Sequence, residues 1–212
     1  MKRRGFTLIE VLIASLITTV VAGAVIGTIK AVTDITIALD ASAYAMARLA
    51  RAEARVADHV NRARMVLSQT STEVLSQTST AVLLWLPTET FSASAILVDD
   101  YDAIQGNELA WYVMKPATKT LYLCYLTDRT NRTEYSVNTK WTSLLNSLSV
   151  QGKLTEIPVL EGIVSGGFRV ESSDPCSVQR FTFDGLLSDE LGGMNAQLGG
   201  GLLNGRRHPD CP

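Results

Sequence analysis

An uncharged apolar segment close to the N-terminus constrains this chain of 212 residues more than any other feature. No charged residue occurs from Val11 to Ile29, a run of 19 residues. A helix rises about 1.5 Å per residue, so such a run can cross the roughly 30 Å hydrocarbon core of a bilayer. We therefore expect a helix over residues 6–29 that spans a membrane.

The charges on either side of this run predict its orientation. Three cations lie within residues 1–5, whereas Asp34 and Asp40 follow the run shortly after Lys30. Cationic residues are retained on the cytoplasmic side of a membrane. The N-terminus is therefore expected in the cytoplasm and the rest of the chain on the other side.

A conventional secretory signal peptide is the alternative reading of this N-terminus. Its small-residue cleavage site would be Ala-Gly-Ala at 22–24. Two features oppose it: the apolar run continues through Val25, Ile26 and Ile29, and a carboxylate, Glu10, lies at its start.

The segment from Arg4 to Val11 resembles the cleavage and methylation motif of type IV prepilins. That motif has a basic leader ending in Gly, then Phe, then Glu four residues later, then a membrane-length apolar run; Gly5, Phe6 and Glu10 match it. The resemblance implies that prepilin peptidase cuts between Gly5 and Phe6 and methylates the new amino group of Phe6. It implies a structural subunit and not an enzyme.

The carboxylate of Glu10 needs a partner if it enters the membrane, because burying an unpaired charge is costly. The resemblance implies that, in a filament, Glu10 meets the α-amino group of Phe6 on a neighbouring subunit and sets the axial register. The alternative is that Glu10 stays at the membrane interface, solvated or protonated.

Residues 30–65 are predicted to continue the same helix as an amphipathic segment, because alanine is frequent there and neither Gly nor Pro occurs. Met46, Leu49, Val56 and Val60 have the spacing of one helical stripe, which we expect to pack on the domain that follows. The arginines of the segment are interleaved with acids, which favours a solvated face over a DNA-binding patch.

The remaining residues predict a β-rich domain. Residues 66–72 repeat without change at 74–80 and predict a Ser/Thr-rich duplicated loop over 66–80, with short edge strands as an option. A globular domain is expected over 81–190, and a glycine-rich tail over 191–212 is expected to be a loop or disordered. Strands are predicted at 81–86, 108–114, 120–126, 158–164, 167–171 and 178–183, and a helix at 139–148.

The predicted fold class is α+β: a long N-terminal helix packed on a C-terminal antiparallel sheet, as in pilins. The hairpin from Trp111 to Leu123 and the segment from Val159 to Val170 are similar to W-type minor pilins and J-type minor pseudopilins.

The three cysteines are Cys124, Cys176 and Cys211, and an odd count leaves at least one unpaired within the chain. Cys124 lies in a strand pattern and is expected in the core. The resemblance to pilins implies a disulfide between Cys176 and Cys211. No cysteines form a CxxC pair, so we expect neither a metal nor a cofactor.

The expected function is that of a minor pilin of a type IV pilus or a pseudopilin of a type II secretion system. The expected partners are prepilin peptidase, other pilin subunits through the N-terminal helix, and an inner-membrane assembly platform. The chain is expected in the bacterial inner membrane before assembly, and afterwards in a periplasmic or cell-surface filament. The alternative is an adhesin or a DNA-uptake module on the filament. Asp99, Asp100 and Asp102 lack the remaining ligands of a calcium loop and predict a solvated acidic loop.

Overall fold

The computed structural model describes residues 7–70, 73–74, 77–78, 80–87, 104–170, 180–188 and 193–202. Short 3₁₀ turns lie at Gly106–Glu108 and Pro116–Thr118. The helices and strands, in chain order, are α1 (Leu8–Arg62), β1 (Met65–Thr70), β2 (Glu73–Val74), β3 (Gln77–Thr78), β4 (Thr80–Trp85), β5 (Ile104–Gln105), β6 (Leu109–Lys115), β7 (Thr120–Leu126), β8 (Glu134–Tyr135), α2 (Trp141–Val150), β9 (Leu154–Glu161), β10 (Ile163–Val170), β11 (Arg180–Leu187) and β12 (Asn195–Gly201).

The long helix α1 confirms the predicted continuous N-terminal helix, although it ends at Arg62 and Met65 already belongs to β1. The chain separates into two compact units, residues 1–44 and residues 45–212. In the first unit the large apolar side chains of α1 are exposed. In the second unit, α1 packs into the core.

The buried stripe of α1 consists of small and β-branched residues: Ala45, Ala52, Val56 and Val60. Leu49 is half-buried against the same core, so the steps along the stripe are three or four residues. The expectation that Met46 belongs to this stripe is wrong, because its side chain is exposed. Alanine at position 45 takes the buried place, where its small side chain permits a close approach of the helix.

Two arginines of α1 reach the edge strand β9. Arg48 forms an ion pair with Glu161, and Arg55 donates a hydrogen bond of 3.5 Å to the carbonyl oxygen of Pro158. Arg62 pairs with Asp58 one turn earlier on the helix. These contacts agree with a helix face whose arginines are balanced by acids.

Among the described residues, the larger sheet has five antiparallel strands in the order β1-β4-β6-β7-β9. Successive side chains of a strand point to opposite faces. In β6, Ala110, Tyr112 and Met114 join the core formed with α1. The alternate residues of the same strand join a second core on the other face. Both faces of the sheet are therefore covered by protein.

Helix α2 covers the second face and confirms the helix predicted near residues 139–148. Its buried residues are Trp141, Leu145 and Leu148, which lie four and three residues apart and so share one side of the helix. They pack in one core with Trp111 of β6 and Cys124 of β7.

A smaller sheet, with three antiparallel strands in the order β10-β11-β12, follows among the residues described. Gly162, with φ of +81°, makes the sharp turn between β9 and β10 that leads from one sheet to the other. Phe168, Phe181 and Phe183 from this sheet enter the core that contains α1.

The prediction of a loop for the glycine-rich tail is wrong at 195–201, which form β12, and the strand predicted at 178–183 is not the last. β12 pairs with β11 along its whole length, and Ala196 and Leu198 are buried. The glycines permit this pairing: a Cβ on Gly199 would lie 2.4 Å from the carbonyl oxygen of Phe181. Glycine therefore allows two backbones to meet here.

The duplicated segment is also more regular than a loop. Its first copy forms most of β1, which is an edge strand of the larger sheet, as the option of edge strands allowed. Within the second half, β2 and β3 pair as Glu73 with Thr78 and Val74 with Gln77. Identical sequences thus pair differently: the first copy pairs with β4, whereas Val74 and Gln77 of the second copy pair with each other.

The half-buried imidazole of His59 on α1 contacts the centre of the larger sheet. Its Nδ1 lies 2.8 Å from the hydroxyl oxygen of Tyr112, with which it shares a hydrogen bond. Burial lowers the pKa of His59, and the nearby charge of Arg62 lowers it further. Burial also raises the pKa of Tyr112. Both shifts favour the neutral form of the group where α1 meets the sheet.

Replacing Leu198 by alanine should show that β12 belongs to the core. Leu198 is 1% exposed, so Leu198→Ala should lower the free energy of unfolding by about 2–5 kcal/mol. The measurement is urea unfolding of the protein in detergent. The matched control is Leu186→Ala on β11, at a side chain 39% exposed, which should cost about 1 kcal/mol or less. Equal costs for the two variants would contradict the placement of β12.

Lowering the pH should destabilise the contact of α1 with the sheet. The folded-state pKa of His59 is below its unfolded value, so the unfolded chain binds more protons as the pH falls below about 6.5. Stability is then full above that pH and is lost toward acid. His59→Gln should flatten this part of the pH profile in urea unfolding. An unchanged slope in the variant would show that other groups cause it.

Candidate functional site

The described part of the chain begins at Thr7, directly after the predicted cleavage site. Gly5 and Phe6 lie outside the described residues. The cut between them and the methylation of Phe6 therefore stay predictions.

Thr7 and Glu10 close this first turn with reciprocal hydrogen bonds. Glu10 Oε2 accepts a hydrogen bond of 2.9 Å from the backbone N–H of Thr7 and one of 3.0 Å from its hydroxyl. The N–H of Glu10 donates back to Thr7 Oγ1 at 3.4 Å and to the Thr7 carbonyl oxygen at 3.1 Å. Thr7 is thus the N-cap of α1, and the pair forms a capping box.

This arrangement supplies Glu10 with donors inside its own chain. A carboxylate at the start of an apolar helix is costly when it has no hydrogen-bond partner. The two donors of Thr7 reduce that cost before any other subunit is present. The expected pairing of Glu10 with the amino group of a neighbouring Phe6 stays a prediction.

Thr7 was not among the residues predicted to have a role. Its signal was present in the sequence: a threonine three residues before a glutamate, at the start of an apolar run, is typical of a helix N-terminus.

Hydroxyl groups in the apolar part of α1 donate hydrogen bonds to backbone carbonyl oxygens of the same helix, so they need no partner in the surroundings of the helix. Thr18 and Thr19 donate to the carbonyl oxygens of Ala14 and Ser15, each at 2.8 Å. Ser15 likewise bonds to the carbonyl oxygen of Leu12 at 2.8 Å. Within lipid, such internal bonds satisfy groups that water cannot reach.

The large apolar side chains of this part are exposed in the single chain. Between residues 8 and 29 they are Leu8, Ile9, Val11, Leu12, Ile13, Leu16, Ile17, Val20, Val21, Val25, Ile26 and Ile29. A Cβ added at Gly23 or Gly27 would meet nothing within 4 Å. Of the helices in the described part of the chain, α1 is the one long and apolar enough to cross a membrane. The helix is therefore suited to lipid or to apolar helices of other subunits.

The cysteines do not form a reactive site within the residues described. Cys124 is buried, as predicted, and burial raises the pKa of its thiol to about 12. It is therefore a neutral core residue at physiological pH. Cys176 and Cys211 lie outside the described residues, so their disulfide stays a prediction, and the acidic residues from 99 to 102 lie outside as well.

Across the residues that the structure describes, no group of three or more His, Cys, Asp or Glu side chains could hold a metal ion. The buried carboxylate of Glu108 has structural partners. It accepts hydrogen bonds from the indole N–H of Trp85 at 2.9 Å and from the backbone N–H of Gln105 at 3.2 Å.

Comparison with known proteins identifies the N-terminal segment. A family model described as the prokaryotic N-terminal methylation motif matches residues 1–26. No curated protein and no solved structure matches the chain. The family of this motif is structural rather than catalytic. The basic leader, the capped first turn of α1 and the exposed apolar helix all lie in or next to the matched segment. Residues 1–26 are therefore a type IV prepilin-type signal, which supports a pilin-like or pseudopilin precursor that is anchored in a membrane.

Proposed function

We propose that this chain is a minor subunit of a type IV pilus or of the pseudopilus of a type II secretion system. The observation that carries the proposal is the prepilin-type signal at residues 1–26, joined to an apolar helix that continues into an α+β domain. A signal that was removed after secretion would not need a helix continuous with the core of the domain.

The first step is processing by prepilin peptidase. Hydrolysis of the amide bond between Gly5 and Phe6 leaves a carboxylate on Gly5 and a free amino group on Phe6. This nitrogen then takes a methyl group from a methylsulfonium donor, which leaves as a thioether, and one proton of the amine is released to solvent. Glycine suits the position before the cut because it has no Cβ and lets the backbone lie close to a protease groove. The new terminus lies directly before the N-cap Thr7.

The second step is assembly, in which Glu10 takes part. In the single chain its carboxylate is held by the N–H and hydroxyl of Thr7. A charged amino group from Phe6 of a neighbouring subunit would form a stronger, charge-assisted bond with the same carboxylate. If the amino group of a neighbouring Phe6 replaced Thr7 as the partner of Glu10, assembled subunits would be favoured over single chains in the membrane. The same contact would set the register of the subunits.

The domain formed by residues 45–212 supports a minor rather than a major subunit. Its described part contains a five-stranded sheet, a three-stranded sheet and a second helix, and a domain of this size packs less readily along a thin fibre that repeats one subunit. The proposed partners are therefore other pilin or pseudopilin subunits, an inner-membrane assembly platform and prepilin peptidase. The domain would lie outside the cytoplasm, in the periplasm or on the cell surface.

The mature N-terminus tests the processing step. In cells with prepilin peptidase, the purified protein should begin at Phe6 and carry one methyl group on its amino nitrogen. In cells without the enzyme, the leader should remain. N-terminal mass spectrometry of both preparations measures this, and a mature chain that starts at any other residue would overturn the proposal.

Substitutions at Glu10 separate its charge from its role in the helix cap. Glu10→Gln can keep the capping box, because glutamine serves at this position, but it removes the charge. Filament incorporation should fall at least about tenfold in Glu10→Gln and in Glu10→Val, since a difference of 1.4 kcal/mol already changes an equilibrium tenfold. The measurement is the amount of subunit in sheared filaments relative to that in membranes.

Thr7→Ala is the matched control for the cap. It removes the side-chain partner of Glu10 but keeps the charge, so incorporation should stay well above that of Glu10→Gln. Normal incorporation of Glu10→Gln would refute the proposed charge pairing and leave the carboxylate with a capping role alone.

A further inference from the structure

We propose that a small cavity between α2 and the larger sheet is a binding site for one water molecule. This water accepts a hydrogen bond from the indole N–H of Trp111 and donates its two protons to the hydroxyl oxygens of Ser68 and Thr142. The site lies within residues 45–212, so its occupancy is independent of the prepilin-type signal and of the proposed function.

The cavity lies where α2 covers β1, β4 and β6 of the larger sheet. Strand β1 contributes Ser68 and Thr70, strand β6 contributes Trp111, and α2 contributes Trp141 and Thr142, while β4 adds apolar side chains. About 10 Å³ is available to the centre of a water-sized sphere. A single buried water molecule needs about this much space.

The indole N–H of Trp111 needs an acceptor. Trp111 is 2% exposed, and its buried Nε1 has no hydrogen-bond partner among the residues that the structure describes. An indole nitrogen can only donate, and a buried donor without an acceptor costs free energy. Buried polar groups of folded proteins are therefore paired with protein or with ordered water. The cavity that the ring of Trp111 lines has room for such a water.

The other two tryptophans of the chain have protein acceptors although they are buried to a similar degree. The indole N–H of Trp85 donates to Glu108 Oε2 at 2.9 Å, and that of Trp141 donates to the carbonyl oxygen of Val137 at 3.1 Å. The chain therefore contains two indole groups that serve as internal controls for the third.

Strand β1 brings a hydroxyl group to the same face as Trp111. The pairing of β1 with β4 has a bulge between Val66 and Ser68, so that Leu67 joins the core beneath α2 and Ser68 also lines the cavity there. Ser68 pairs with Leu83, and Leu83 pairs with Trp111. The serine and the tryptophan thus lie in one row across three strands.

Helix α2 brings the second hydroxyl group. Thr142 is the second residue of α2 and lines the cavity from the side opposite the sheet. The oxygen of a hydroxyl group can accept hydrogen bonds from water. The N–H of Trp111 and the hydroxyls of Ser68 and Thr142 give the water three partners, which is typical of buried water molecules.

One water molecule fits this site better than a larger ligand does. The space is that of a single water, and the two tryptophans that line it are only 2% and 5% exposed. An apolar occupant would leave the N–H of Trp111 unpaired. The bound water then links the edge strand β1, the central strand β6 and helix α2 through hydrogen bonds.

Nuclear magnetic resonance of the full chain in detergent tests the site at the three indole groups. The protein is labelled with ¹⁵N at tryptophan, and rotating-frame Overhauser effects are measured between each indole proton and water. We expect a dipolar cross peak with water at Trp111 and none at Trp85 or Trp141, whose N–H groups have protein acceptors. Absence of the peak at Trp111, or equal peaks at all three indoles, would overturn the proposal.

Water ¹⁷O relaxation dispersion separates bound water from a nearby hydroxyl proton, because it detects only the oxygen of water. Ser68→Val removes one partner and fills the cavity, so the number of long-lived water molecules should fall by about one relative to the unsubstituted chain. The matched control is Ser143→Val, at an exposed serine of α2 that is not part of the cavity lining, and it should leave the number unchanged. The same number in Ser68→Val and in the unsubstituted chain would refute the water site.

The dispersed indole signals show whether Ser68→Val is folded. If they collapse, a crystal structure of the unsubstituted full chain decides instead. A water oxygen at about 2.7–3.2 Å from Trp111 Nε1 is then the expected result, and a protein acceptor at that distance, or no density there, contradicts the proposal.

Discussion

The exposed apolar surface of α1 is the constraint on which the other features depend. From Leu8 to Tyr44 the helix shows its large side chains to the outside, whereas from Ala45 onward its stripe is buried in the core of its own domain. An apolar surface of this extent is unfavourable in water. The first part therefore needs lipid or other apolar helices around it, which agrees with a pilin-like precursor that is anchored in a membrane.

Apolar surface is also removed from water in the domain, where other elements of the protein cover both faces of the larger sheet. Strand β6 alternates between two cores, so the sheet is stable only when α1 lies on one face and α2 on the other. Val56 and Val60 of α1 belong to the core on one face of this sheet, and the ion pair of Arg48 with Glu161 adds a polar contact between the helix and β9.

Elements with strong hydrophobic periodicity could be predicted, and elements defined by long-range pairing could not. The hairpin of β6 and β7 and the helix α2 were predicted close to their observed bounds, since alternation and helical spacing are local properties of the sequence. Strand β12 was missed because its glycines indicate a loop, and only the approach of β11 reveals why glycine is needed there. Met46 was misplaced because hydrophobicity alone favoured it over Ala45, whereas close packing of the helix favoured the smaller side chain.

The sequence by itself determined the prepilin-type signal, the membrane-length helix and the α+β class, because these depend on the order of charges, apolar residues and alanines along the chain. The tertiary structure alone decided that Ala45 rather than Met46 is buried, that the first copy of the repeat pairs with β4, and that His59 of α1 shares a hydrogen bond with Tyr112 of β6. The physical reason is distance: periodicity is set by neighbours in sequence, whereas burial and hydrogen-bond partners are set by groups that folding brings together.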